Sequence, residues 1–360
     1  MDQMNSILLC IILLILIAVP TALSQERPMA PALLVFGDSI VDTGNNNVLI
    51  TSVRADFPPY GRDFQGRQPT GRFSNGRMPS DMIASFLRIK DLLPPYRTPD
   101  LEDRDLITGV SFASAGTGYD NLTAEIAKVF SMWDQLEMHK EYKRKLVAIA
   151  GEATATVIIR ESPHVVFSGS NDILATYFFT TLRQKTFDVP SYINYLVDAA
   201  TDFVKELYSL GARRIVVFGL PPLGCVPMSR TVSGGKNRDC VETYNQATVL
   251  FNLELSDRLK QLNVDLSGSR IIYVSIFDII VDLIQHGPDH GFEETSRGCC
   301  GTGEFEASIS CNEFSPCTCP ESETDKYLFW DSFHPTERAF NIVITAVQSQ
   351  FLNVFRIQGE

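Results

Sequence analysis

The most regular feature of the 360-residue chain is an alternation of short aliphatic runs with longer stretches of helical period. Ala32–Phe36, Val110–Ala113, Val165–Ser168, Arg214–Phe218, Ile271–Val274 and Tyr327–Trp330 read as strands, being short runs rich in Val, Ile and aromatic residues and bounded by Gly, Ser or Asp. Helical patterns cover Ser80–Arg88, Trp133–Ile149, Ser191–Leu210, Glu242–Leu262 and Thr336–Phe351. In the fourth of these, Val249, Leu250, Leu253, Leu255, Leu259 and Leu262 approximate an apolar stripe of period 3.6. Asn252, Glu254, Asp257, Arg258 and Lys260 form its expected wet face. Strands alternating with helices predict an α/β fold, a three-layer α/β/α sandwich around a mostly parallel sheet. No internal repeat or charged linker divides the chain, so residues 25–360 are expected to form one domain.

The N-terminus departs from that rhythm. Ile7–Val19 is an almost purely aliphatic run of 13 residues, followed by Pro20 and the small-x-small pattern Ala22-Leu23-Ser24. It is shorter than the roughly 20 residues that span a bilayer, so residues 1–24 read as a cleaved secretory leader rather than an anchor. A secreted chain fits the sequon Asn121-Leu122-Thr123, which makes Asn121 a glycosylation candidate.

Composition narrows the partners. Hydrophobic residues make up 44% of the chain and charged ones 21%, an ordinary globular balance. The net charge is −12 with no basic run, which argues against nucleic acid and anionic membrane surfaces. No apolar stretch elsewhere in the chain is long enough to span a bilayer either, so no stable membrane insertion is expected once the leader is removed; oligomeric state is not legible.

Seven of the eight cysteines (Cys225, Cys240, Cys299, Cys300, Cys311, Cys317, Cys319) lie in the C-terminal half. In a secreted chain they read as disulfide candidates, and an odd number leaves at least one thiol over. Cys225 with Cys240 closes a short loop; adjacent Cys299 and Cys300 are expected to bond outward, to Cys311 and to Cys317 or Cys319. No histidine sits inside the dense cluster and its spacing lacks two regular pairs, so a metal centre is not expected.

Four strands run into polar loops: Gly37-Asp38-Ser39-Ile40, Ser114-Ala115-Gly116-Thr117-Gly118, Gly169-Ser170-Asn171-Asp172 and Asp331-Ser332-Phe333-His334-Pro335. If all four strands are parallel, these loops share the carboxyl edge where open α/β sheets bind ligands. That edge then offers a hydroxyl, glycines, an amide, a carboxylate and an imidazole, the parts needed for acyl transfer by serine. Among the five histidines, His334 alone both follows its strand and has a carboxylate, Asp331, three residues earlier. His164 has Glu161 at the same spacing but opens its strand, at the opposite end of the sheet. His139, His286 and His290 read as helix-surface or loop residues.

Phe36-Gly37-Asp38-Ser39-Ile40-Val41-Asp42-Thr43-Gly44-Asn45-Asn46 resembles the first block of the plant GDSL-type esterase/lipases of the SGNH hydrolase superfamily, with Ile40 in place of the naming leucine. Six further blocks are similar and in order. They begin at Thr70 (TGRFSNG), Gly109 (GVSFASAG), Val166 (VFSGSND), Gly219 (GLPPLGC), Cys299 (CCGTG) and Phe329 (FWDSFHPT), over some 300 residues. Ser111 stands where an asparagine is usual, and Ala115-Gly116-Thr117-Gly118 replaces Gly-Gly-x-Gly.

The resemblance implies a flavodoxin-like SGNH fold and a secreted carboxylic ester hydrolase that needs no cofactor. Ser39 would be the nucleophile, His334 the base and Asp331 its orienting carboxylate. The Ser39 and Gly116 N–H groups, with Gly118 the alternative glycine, and the Asn171 amide would form the oxyanion hole. Arg72, Asn75 and Asp42 are expected to brace loops rather than touch substrate. Two other readings keep the same residues: an acyltransferase that resolves the acyl-enzyme with an alcohol, and a non-catalytic extracellular coat protein retaining the fold.

Overall fold

Four of the aliphatic runs lie side by side as parallel strands, β1 (Leu34–Gly37), β2 (Pro163–Phe167), β3 (Arg214–Phe218) and β4 (Arg270–Val274), in that spatial order. The structure is a computed structural model describing residues 27–64, 66–307, 310–312, 314 and 319–355. The expected leader, residues 1–24, and Cys317 lie outside the described residues.

The expected strand at Val110–Ala113 follows the free side of β1. Val35 N–H donates to Val110 O at 3.1 Å and Phe112 N–H to Val35 O at 2.7 Å, though Val35 and Ser111 form only an isolated parallel bridge. With this segment counted, the spatial order is second, first, third, fourth, fifth, which is the doubly wound flavodoxin-like arrangement.

Helices cover both faces: α1 (Pro79–Phe86), α2 (Asp103–Thr108), α3 (Asn121–Ala127), α4 (Met132–Ala150), α5 (Glu152–Glu161), α6 (Val189–Ser209), α7 (Pro227–Ser233), α8 (Glu242–Asp265), α9 (Phe277–Gln285) and α10 (Glu337–Leu352). Side chains alternate along each strand. Phe36 meets His139 of α4 and Phe203 of α6 on one face, while Phe167 and Phe218 stack on the other, towards α1 and α10. Among the described residues no helix is long and apolar enough to cross a membrane.

Three expectations need correction. The run at Tyr327–Phe329 (β6) does not join the main sheet; it pairs in parallel with β5 (Glu294–Gly298) in a separate two-stranded ribbon. The ribbon continues into Cys299, which is disulfide-bonded to Cys319 and donates its N–H to Phe329 O at 3.0 Å, fixing β6 there.

His139 is fully buried rather than on a helix surface. Leu136, His139, Tyr142 and Leu146 share one side of α4 at helical spacing, and burial holds the His139 pKa well below its ordinary value. His164 does open β2 at the far end of the sheet, but it too is buried, its pKa pushed down to about 4 by burial.

In α8 the buried stripe is Tyr244, Ala247, Thr248, Phe251, Leu255, Leu259 and Leu262, whereas Leu253 is 62% exposed. Packing against α6 selects that face. Asn252, expected to be wet, is buried because its amide both donates to Leu220 O (2.9 Å) and accepts from Leu220 N–H (2.7 Å).

Candidate active site

β1 ends at Gly37, where the chain passes close to β2: a Cβ there would lie 1.9 Å from Phe167 O, so only glycine fits. Buried Gln135 of α4 clamps this residue, accepting from Gly37 N–H (2.8 Å) and donating to Gly37 O (3.0 Å). A helical turn follows, with Val41 and Asp42 N–H both donating to Asp38 O, and it carries Ser39 at its start. Asp42 accepts from Gly44, Asn45 and Ala115 N–H, while Asn45 donates to Ser111 O and Ala113 O and Asn46 to Ala115 O. The loop after β1 is thereby tied to the segment that leads to Gly116. Arg72 braces it from outside through a buried two-pronged pair with Asp81 and a bond to Thr43 O. Asn75 bonds Asp63 and accepts from Glu337 N–H at the start of α10. Arg72, Asn75 and Asp42 therefore brace loops, as the sequence suggested.

At the end of β6 the chain makes a tight turn. Asp331 Oδ1 accepts from Phe333 and His334 N–H, both at 2.8 Å, an Asx-type turn that the Asp-x-x-His spacing allows. The same turn places His334 Nδ1 2.8 Å from the carboxylate and His334 Nε2 2.8 Å from Ser39 Oγ. The three side chains, far apart in the chain, thus form one continuous hydrogen-bonded relay. Sequence reasoning missed a fourth member: Tyr60 O–H donates to Asp331 Oδ2 at 2.8 Å. Its ring packs edge-on against Phe57, Phe73 and Trp330.

Facing Ser39 are Gly116 and Asn171, which line the same cavity. Asn171 donates one amide N–H to Thr117 O at 2.9 Å. Asp172 accepts from Tyr119 N–H, Asp120 N–H and Thr123 O–H, linking the two loops again. Gly118 is packed onto that carboxylate, since a Cβ there would lie 2.0 Å from Asp172 Oδ1. Gly116, not Gly118, borders the cavity.

The cavity holds about 450 Å³, lined by polar residues that include Ser39, Asn171 and His334 and by apolar side chains including Ile126, Leu174, Phe179, Pro221 and Phe333. Burial pushes the carboxyl of Asp38 up to about 7, and those of Asp42 and Asp172 up to about 6 and about 7. Asp331 behaves oppositely. Burial opposes its ionisation, but the charge of His334, its ring hydrogen bond and the two turn N–H groups together outweigh that, holding the carboxyl below its ordinary value. A hydroxyl paired to an imidazole that is oriented by an ionised carboxylate, facing N–H donors across an apolar cavity, can perform nucleophilic acyl transfer.

A sequence profile described as GDSL-like Lipase/Acylhydrolase matches residues 33–347, nearly the whole chain. The chain belongs to that family. Among its relatives is the Arabidopsis thaliana GDSL esterase/lipase EXL3, 46% identical over 326 residues that cover 90% of this chain and 88% of the relative. The Arabidopsis thaliana GDSL esterase/lipase At1g59030 is 46% identical over 96% of this chain and 98% of its own length. Of solved structures, a catalytic mutant of Axe2, an acetylxylan esterase from Geobacillus stearothermophilus, is 13% identical with a TM-score of 0.42, covering 91% of this chain and 96% of that one. Membership makes the protein a carboxylic ester hydrolase of the plant GDSL type.

The remaining candidates of this GDSL chain fall as follows. Cys225 is bonded to Cys240, Cys300 to Cys311 and Cys299 to Cys319, so both adjacent cysteines bond outward. Asn121 is exposed at the first residue of α3. His286 and His290 both lie near the surface, each bonded to Asp282.

Proposed function

We propose that the protein is a secreted serine esterase or lipase acting through an acyl-enzyme on Ser39. His334 Nε2 takes the hydroxyl proton as Ser39 Oγ bonds to the ester carbonyl carbon. The carbonyl oxygen becomes an oxyanion that accepts from Ser39 and Gly116 N–H and from the second Asn171 N–H, the one not given to Thr117. Asp331 holds the imidazole tautomer and stabilises the imidazolium. As the tetrahedral species collapses, the C–O bond to the alcohol breaks and His334 returns its proton to that oxygen. Water, deprotonated by His334, then attacks the acyl-enzyme, and Ser39 leaves with the proton as the carboxylic acid is released.

The observation that carries this reading is the unbroken Ser39–His334–Asp331 chain at 2.8 Å in the wall of a largely apolar cavity. The three disulfides among the described residues suit an oxidising compartment, and the exposed Asn121 side chain suits an N-glycan there. Secretion of residues 25–360 after removal of the leader, with Asn121 glycosylated, belongs to the same reading.

The test is hydrolysis of short and long p-nitrophenyl esters by the purified protein beside its Ser39→Ala variant, with folding checked by circular dichroism. Turnover that disappears in the variant is expected. A folded protein that turns over no ester, or a Ser39→Ala variant as active as the parent, overturns the assignment.

A further inference from the structure

Behind Ile40 lies a second, smaller cavity of about 40 Å³, between the sheet face carrying Phe167 and Phe218 and helices α1, α9 and α10. Every residue lining it is aliphatic, proline or phenylalanine, so a water inside would find no polar side-chain partner. An apolar void beside a polar site is a packing defect that a fold of this density normally closes.

Its position relative to the reactive groups is specific. It shares Ile40, Pro221, Val226 and Phe333 with the Ser39 cavity, so these four residues border both spaces. Ile40 directly follows Ser39, and Phe333 directly precedes His334. Ile40 and Phe333 are each only partly buried, and a rotamer change at either is the movement that would join the spaces.

We infer that this chamber is a chain-binding subsite, taking the carbons of an aliphatic chain nearest the ester group. The inference rests on Ser39 being the nucleophile, and it adds that the preferred substrates are aliphatic esters rather than bare acetyl or purely polar ones. At roughly one water-sized volume of 10–15 Å³ per group, the chamber accommodates about three methylenes. Each buried methylene should raise kcat/KM by about fourfold. The chain could belong to the acyl or to the alcohol part, and two substrate series separate these: p-nitrophenyl alkanoates of increasing length, and acetates of n-alkanols of increasing length.

Val343 and Ile344 of α10 line the chamber and lie outside the Ser39 cavity. Val343→Phe fills the chamber and Ile344→Ala enlarges it. Each variant is read as kcat/KM for each chain length divided by its own value for the shortest ester, so a lower folded fraction cancels. In one of the two series the wild type should climb by about fourfold per carbon over about three carbons. Val343→Phe should flatten that climb, and Ile344→Ala should extend it to longer chains. If Val343→Phe does not fold, the extension in Ile344→Ala still decides. Wild-type slopes retained in both variants, with ester hydrolysis intact, overturn the subsite; loss of all ester hydrolysis in the wild type overturns instead the serine-esterase reading on which it rests.

Discussion

Tyr60 O–H donates to Asp331 Oδ2 across 271 residues of chain, at 2.8 Å between two buried side chains. The other carboxylate oxygen is already fixed by the turn N–H groups, so Tyr60 supplies the remaining restraint on the acid that aims His334. A hydrogen bond to a charged, buried acceptor is worth more than a neutral one, about 1.5–3 kcal/mol. Tyr60→Phe keeps the ring packing against Phe57, Phe73 and Trp330 and removes that bond. Its kcat should drop by about tenfold or more with KM nearly unchanged, because the bond orients the base rather than the substrate. Steady-state kinetics on a p-nitrophenyl ester measure this; a change confined to KM contradicts the positioning role.

Asn171 gives one amide N–H to Thr117 O and lines the Ser39 cavity, and the proposed function assigns its second N–H to the oxyanion. Loss of one oxyanion donor typically costs a factor of about 100–1,000 in kcat. Asn171→Ala should fall in that range with KM little altered, and its thermal melt should stay within a few degrees of the parent. A loss of less than tenfold would remove Asn171 from the oxyanion hole.

How much of this was legible in the sequence varies with the range of the interaction. Ser39 and the Asp331–His334 pair are each defined by a few adjacent residues: a strand, a glycine, and a turn with three-residue spacing. The spacing therefore conveyed the Asp331–His334 turn, while the meeting of His334 with Ser39 was expected from the shared loop edge and the family resemblance. The four core strands were legible because parallel strands buried on both faces are nearly continuous Val and Ile runs. Glu294–Gly298 (ETSRG) carries no such signal, so the partner of β6 could not be read. Tyr60 and Gln135 act through contacts with distant segments, and nothing local to Tyr60 marks it. Gln135 and His139 are different, since both lie on the apolar stripe of α4 with Met132, Leu136 and Tyr142. Polar residues on a buried stripe signal a clamp or a buried imidazole, and that signal was present.

Cys311 and Asn312 line the Ser39 cavity, and the Cys300–Cys311 bond holds them there. Cys300 N–H also donates to Trp330 O, immediately before the Asp331 turn. Closing so short a loop contributes roughly 3 kcal/mol in the chain-entropy model. The double variant Cys300→Ser, Cys311→Ser should melt several degrees lower and bind ester more weakly, with KM raised. The Ser39–His334–Asp331 contacts do not pass through this bond, so labelling of Ser39 by a small organophosphorus reagent should proceed near the parent rate. Labelling slowed as much as ester turnover would show that the bridge supports the relay itself rather than the cavity wall.

The carboxyl of Asp38 is fully buried next to Ser39, with Oδ1 accepting from Ile40 N–H at 3.1 Å and Oδ2 without a hydrogen-bond partner among the described residues. Burial raises its pKa from 3.8 to about 7, so between those values the folded protein holds a proton that the unfolded chain has released. Stability contributed by this group is full below about pH 4 and declines as pH rises towards 7, by up to about 4 kcal/mol at 1.36 kcal/mol per unit. Asp42 and Asp172 act in the same direction, whereas His139 and His164, whose pKa values are lowered by burial, act in the opposite one below the ordinary histidine range. The single contribution is isolated by Asp38→Asn, which keeps an acceptor for Ile40 N–H and cannot titrate. Denaturant unfolding at pH 4.5, 5.5 and 6.5 should show the wild type losing stability relative to Asp38→Asn at each step. A difference between the two that stays constant over this range would mean that Asp38 is ionised in the folded protein, and that the charge of His334 compensates its burial.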